Sequence, residues 1–207
     1  MPSNEGAGRV KGLEVFVTRK PRGSETRLSG WVSYTLSKSD RRAYGLNYPF
    51  DYDRRHAATA VAQYRVLSRM TAAASFQVAS GFPVTLPSGT RGVASTFADG
   101  FGSVVHSPLF SEDGSPVYTL DYGSMSRING ARLPASSRLD LRVTWGSETG
   151  SGHWTYYVDV INLLNTKNKT FSFSQLGYDP FSDRPHVVNT HGGGFPMVPT
   201  AGVRWRF

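Results

Sequence analysis

The final eleven residues, MVPTAGVRWRF (197–207), restrict the fold more than any other stretch of this chain. Taken in steps of two, Ala201, Val203, Trp205 and Phe207 form an apolar face, while Gly202, Arg204 and Arg206 form a polar one. A period of two belongs to a β-strand whose faces meet different surroundings. The segment SRLDLRVTWG (137–146) repeats the pattern more cleanly. There Leu139, Leu141, Val143 and Trp145 alternate with Arg138, Asp140, Arg142 and Thr144. Charges at mid-strand positions need water or an opposite charge beside them.

Five more segments read as strands by alternation or by β-branched and aromatic content. They are GLEVFVTR (12–19), RLSGWVSYTLSK (27–38), AATAVAQYRVL (57–67), MTAAASFQVAS (70–80) and a stretch beginning HWTYYVDVINLLN that extends over 153–173. The alanine-rich pair could form helices, but the short connection at Ser68–Arg69 favours a hairpin. The spacing then alternates. Links 20–26, 68–69 and 147–152 are short, and links 39–56, 81–136 and 174–197 are long. In a meander, all short links fall at one end and all long ones at the other.

Composition narrows the surroundings. Hydrophobic residues make up 39%, low for a globular domain, and 22 glycines and 12 prolines suit many strands joined by loops. No apolar run approaches the ~18 residues of a transmembrane helix, but a barrel strand crosses a bilayer with about 9–11 residues of alternating character. The absence of cysteine removes disulfides and thiolate metal sites. A net charge of +8 raises nucleic acid as a partner, yet the 23 basic residues are dispersed over turns, loops and alternate strand positions. A solvated polar surface accounts for them, and no nucleic-acid partner is expected.

The fold class expected is all-β: an antiparallel transmembrane β-barrel segment over residues 1–207, with long extracellular loops and short periplasmic turns. Leu139, Leu141, Val143 and Trp145 would face lipid. Arg138, Asp140, Arg142, Asp159, Arg204 and Arg206 would face a wet lumen and form cross-strand charge pairs. Trp145, Trp154, Tyr156, Tyr157 and Trp205, near strand ends, suit the membrane–water boundary, with core packing as the alternative. Complete bacterial barrels have an even strand number and no open edge, so seven strands imply the tail of a larger barrel. The opening MPSNEGAGRVKG has no apolar stretch or cleavage site, and a signal peptide and N-terminal part are expected to be missing.

Six motifs in this order resemble one family: WVSYTLSKSDRR (31–42), DYDRRHAA (51–58), ASGFPVT (79–85), NGARLPASSRLDLRVTW (129–145), YVDVINLLNTKN (157–168) and VPTAGVRWRF (198–207). They are similar to the last third of the barrel of TonB-dependent outer-membrane receptors, in the subgroup with a carboxypeptidase-regulatory-like domain ahead of the plug. The resemblance implies a 22-stranded barrel, a location in the outer membrane of a Gram-negative bacterium, and energised uptake of an unknown small substrate by a longer parent. It implies outer-membrane lipid as a partner, and a barrel-assembly machinery that reads Val203, Trp205 and Phe207. The TonB complex would be reached only through the missing N-terminal part. No cofactor, metal or catalytic residue is implied.

Other chemistries remain to be weighed. Asp51, Asp53 and His56 could serve a hydrolase or hold a metal, although a self-neutralising charge cluster where loop meets strand is the simpler reading. His186 and His191 lack a third ligand, and Gly192–Gly194 has no following helix or lysine to make a phosphate cradle. No GxSxG elbow occurs. Loop 81–136 carries Phe97, Phe101, Phe110, Tyr118 and Tyr122, which suit either a grip on sugar or peptide or packing within the loop. A soluble β-sandwich that binds carbohydrate is the principal rival fold.

Overall fold

The computed structural model describes residues 6–23, 26–98, 104–149 and 152–206. Seven long strands build one antiparallel sheet: β1 (Ala7–Arg19), β2 (Leu28–Ala43), β3 (His56–Leu67), β4 (Met70–Ala79), β5 (Ser136–Thr149), β6 (Gly152–Ile161) and β7 (Val198–Arg206). Each pairs with its sequence neighbour, and the short strand Leu46–Pro49 folds back on the end of β2. The chain is therefore all-β and its sheets are antiparallel. Six of the seven strands match the alternating segments, and β1 and β2 run several residues farther toward the loop end.

Register follows from the side-chain pattern. One hydrogen-bonded row joins Val17, Val32, Ala60, Phe76 and Leu139; another joins Ala62, Ala74, Leu141, Val160 and Pro199. On the reverse face, Thr59 meets Gln77 and Arg138, and Arg142 meets Asp159 and Thr200. A slip of one residue would exchange the two sets, so the alternation fixes the pairing.

The sheet is a single layer. Among the described residues only Ala79 and Leu133 are buried hydrophobics, and β1 is exposed along its whole length. Val17, Val32, Phe76 and Leu141 all remain exposed on the apolar face. β1 pairs only with β2 and β7 only with β6, which leaves two open edges among the described residues.

The strand ends Arg19 and Leu28, Leu67 and Met70, and Thr149 and Gly152 lie at one end of the sheet, and Ala43 and His56, Ala79 and Ser136, and Ile161 and Val198 at the other. The rows are also staggered. The row that enters at Pro199, second residue of β7 from the loop end, leaves at Arg19, thirteenth residue of β1 from that end.

The long links carry their own small sheets. Pro83–Val84 pairs with Ala131–Arg132, Gly89–Gly92 with Tyr118–Asp121, and Ala94–Ala98 with Val104–Pro108. The 3-10 turn Met125–Arg127 is capped by the Ser124 hydroxyl.

The strand expected over 153–173 is corrected: it stops at Ile161, and Phe171–Gly177 forms a separate hairpin with His186–Gly192. Asn162 and Asn165 explain the stop, since both take left-handed backbone angles (φ 53° and 49°) that a strand cannot continue.

Candidate functional site: the two faces of the wall and the loop-end rim

The apolar face carries Leu139, Leu141, Val143 and Trp145 in line with Val203 and Trp205. Its short-link end is aromatic: Trp145 stacks on Tyr156 with centroids 5.7 Å apart, and Trp154 on Trp205 at 5.8 Å. Its loop end is charged, with Lys11 opposite Lys38, Arg9 opposite Asp40, and Lys38 Nζ 3.1 Å from Asp40 Oδ2. Along β2, the stretch between these limits runs from Leu28 to Leu36. That is eight residue steps, about 27 Å along the strand. Phe207 lies outside the described residues.

The other face carries Arg138, Asp140, Arg142, Asp159, Arg204 and Arg206. Arg142 grips Asp159 across the strands through Nε–Oδ1 at 2.5 Å and Nη2–Oδ2 at 2.6 Å. The remaining groups depart from the expected cross-strand pairing. Arg138 Nε reaches Asp140 on its own strand at 3.0 Å, and Arg204 and Arg206 stand opposite Thr155 and His153. Tyr157 also departs from expectation. It lies on this face, beneath the Arg142 guanidinium at 5.0 Å, and not with the other ring residues. The face is not wholly polar, since Phe16 and Trp31 meet on it at 5.7 Å.

Buried groups gather at the loop end, and the largest fully buried side chains among them are polar. Asp53 and Asn162 are each 1% exposed, and Asn129 is 7% exposed. The Ser39 amide donates to Asp53 Oδ1 at 2.7 Å, Arg132 Nη2 bonds Oδ2, and Arg55 Nη2 approaches Oδ2 at 3.5 Å. Arg132 Nη1 further donates to the carbonyls of Asp53 (2.7 Å) and Gly81 (3.1 Å). Burial by itself would push the Asp53 carboxyl up. The Ser39 amide, the Arg132 guanidinium and the Arg55 charge outweigh that and hold it below the ordinary value of 3.8. Gly81 is required here, because a Cβ would fall 1.7 Å from the Leu133 carbonyl oxygen.

Two asparagines extend the network. Asn129 Nδ2 donates to the Pro49 carbonyl (2.8 Å) and to Asp51 Oδ1 (2.7 Å), while its amide donates to Thr85 Oγ1 (2.9 Å). Asn162 Nδ2 donates to the carbonyls of Thr166 (3.2 Å) and Phe195 (2.7 Å), and its Oδ1 accepts from the Thr166 amide. The Asn162 amide in turn donates to Asp140 Oδ1 at 2.9 Å, which joins the rim to the polar face.

This arrangement separates the proposed hydrolase trio. Asp53 is enclosed, Asp51 is taken by Asn129, and His56 Nδ1 meets the Tyr34 hydroxyl at 2.8 Å on the apolar face. His186 and His191 are an odd number of residues apart on one strand, hence on opposite sides of it. Among the described residues no group of three His, Asp or Glu converges on a metal-sized site. Of the loop aromatics, Phe110 and Tyr122 are exposed and Tyr118 is half-buried. Phe101 and the Phe97 side chain lie outside the described residues.

Arg132, Asn129 and Asn162 were not singled out by sequence reasoning. The available signal was their place in otherwise apolar or glycine-rich motifs, where a lone polar residue must find partners. Comparison with protein-family models, curated proteins and solved structures finds no match to this chain.

Proposed function

We propose that this chain is the C-terminal part of a TonB-dependent outer-membrane receptor, forming part of the barrel wall and three extracellular loops for energised uptake by a longer parent. The observation that carries the reading is the two-faced single sheet. One uncovered apolar face is bounded by stacked aromatics at the short-link end and by charges at the loop end. With a strand tilt of about 40°, a ~27 Å apolar stretch gives a band of about 21 Å, close to the ~25 Å of outer-membrane barrels.

Three further features support it. The stagger of the rows is what tilted strands in a closed barrel require. The two open edges ask for neighbouring strands, because lipid tolerates no unpaired backbone groups. The division of short and long links between the two ends matches periplasmic turns and extracellular loops. In this setting the apolar face meets lipid, the Arg142–Asp159 face keeps the lumen wet, and the rim network holds the loops over the pore. The β-sandwich rival needs a second layer on the apolar face, and that face is uncovered among the described residues.

Membrane fractionation tests the proposal. The protein should remain with outer membranes through alkaline carbonate washing, and its level there should collapse when the barrel-assembly machinery is depleted. Recovery of folded protein in the soluble fraction would overturn the reading.

A further inference from the structure

At the loop end of the polar face a cavity of about 380 Å³ opens between β3, β4, β5 and the 162–195 link. Arg54 forms one wall. Its guanidinium lies over the Phe82 ring, 4.2 Å from the centroid, and Nη2 reaches Ser136 Oγ at 3.4 Å. Nε is buried and has no partner. The nearby carboxylates are committed elsewhere: Asp53 to Arg132, Arg55 and the Ser39 amide, and Asp140 to Arg138 Nε and the Asn162 amide. Among the described residues no carboxylate pairs with Arg54. Burial lowers its pKa.

A partly buried guanidinium without an anion carries a desolvation cost that an anionic ligand would offset. Arg138 lines the same cavity, and its Nε is taken by Asp140. Thr59, Gln77 and Thr170 add neutral hydrogen-bonding groups. Two guanidinium forks beside neutral hydrogen-bonding groups suit an oxyanion carried by a polar solute.

We propose that this cavity is an anion-binding subsite, in which Arg54 and Arg138 hold a carboxylate or phosphate group of a small polar ligand. The inference rests on the wall reading only for its setting, a loop-end position facing the lumen. It would make the substrate of the parent receptor an anionic one, met by Arg54 as it enters from the loops.

Calorimetric titration of the protein, in the form its cell makes and with citrate, inorganic phosphate and neutral maltose as probes, tests this. Citrate, phosphate or both should bind, maltose should not, and the stronger anion identifies the oxyanion chemistry. Arg54→Gln should weaken anion binding about tenfold or more, Arg54→Lys should retain most of it, and Arg138→Gln should weaken it by a smaller factor. Heat-modifiable migration checks that each variant is folded. If Arg54→Gln does not fold, the Arg54→Lys and Arg138→Gln variants decide. The subsite is overturned if the wild-type protein binds neither anion at millimolar concentration, or if folded Arg54→Gln or Arg138→Gln binds as the wild type does. The need for detergent is a separate readout. A protein that stays folded in plain buffer contradicts the membrane wall, while the Arg54 dependence still decides the subsite.

Discussion

The wall and the rim are held together by opposite means. In the wall, side chains on both faces of one sheet stay largely exposed, and the apolar row Val17–Val32–Ala60–Phe76–Leu139 covers nothing among the described residues. In the rim, Asp53, Asn129 and Asn162 are buried and bonded almost wholly to one another's loops. The wall is thus finished by its surroundings, whereas the rim is finished by its own polar atoms. A region that lacks an internal core depends on solvent type; a satisfied polar network depends on each of its members.

The largest test of that contrast is Arg132→Leu. It leaves a buried carboxylate without its main partner, at a cost of about 3–5 kcal/mol. Hydrogen exchange should show the Ser39 amide and the 80–135 link losing protection while β5 and β6 keep theirs. Loss of protection throughout the sheet would mean the rim is not a separate unit. Next comes Leu141→Arg, which on the proposed lipid face should cost about 2–4 kcal/mol, against less than about 1 kcal/mol for Thr144→Arg on the other face. Denaturant unfolding from lipid vesicles compares the two, and equal costs would erase the distinction between faces.

Asn162→Ala strands the Thr166 amide and the Phe195 carbonyl, for about 1–3 kcal/mol. Limited proteolysis should then open the 162–197 link first. Acid gives a graded version of the Arg132 experiment. Asp53 has a lowered native pKa, so its stabilisation is complete above its ordinary value of 3.8 and is lost as pH falls below that value through the native one. Exchange at Ser39 should quicken only in that acidic range; a loss centred near neutral pH would contradict the assignment. The smallest effect belongs to Asp159→Asn. On the proposed lumen face the exposed cross-strand pair is expected to contribute about 0.2–1 kcal/mol, so the melting midpoint should barely move.

How much of this was legible beforehand differs between the same two regions. Wall strands announce themselves because each residue's face is fixed by its parity: the run from Arg138 to Trp145 states its own orientation. The turn at 68–69 also followed from spacing, whereas the link expected over 147–152 was too long, since β5 runs to Thr149 and β6 begins at Gly152. The rim was opaque because its bonds join residues far apart in sequence. Asp53 to Arg132 spans 79 positions and Asn129 to Pro49 spans 80, and no local period encodes such a contact. DYDRRH does not neutralise itself as expected: within it only Arg55 approaches Asp53, at 3.5 Å, while the main partner of Asp53 is the distant Arg132 and Arg54 meets no carboxylate among the described residues. The overlong strand over 153–173 erred for a local reason, since Asn162 and Asn165 turn the chain through left-handed angles while the apolar pattern around them continues.

The most direct measurement places single cysteines along 138–145, a clean substitution series in a chain that has none of its own. Nitroxide labels at each position would be exposed to oxygen, which concentrates in lipid, and to a water-soluble nickel chelate. The account predicts oxygen-dominated relaxation at 139, 141, 143 and 145 and nickel-dominated relaxation at 138, 140, 142 and 144. Nickel access at all eight positions, or no alternation between them, would contradict it.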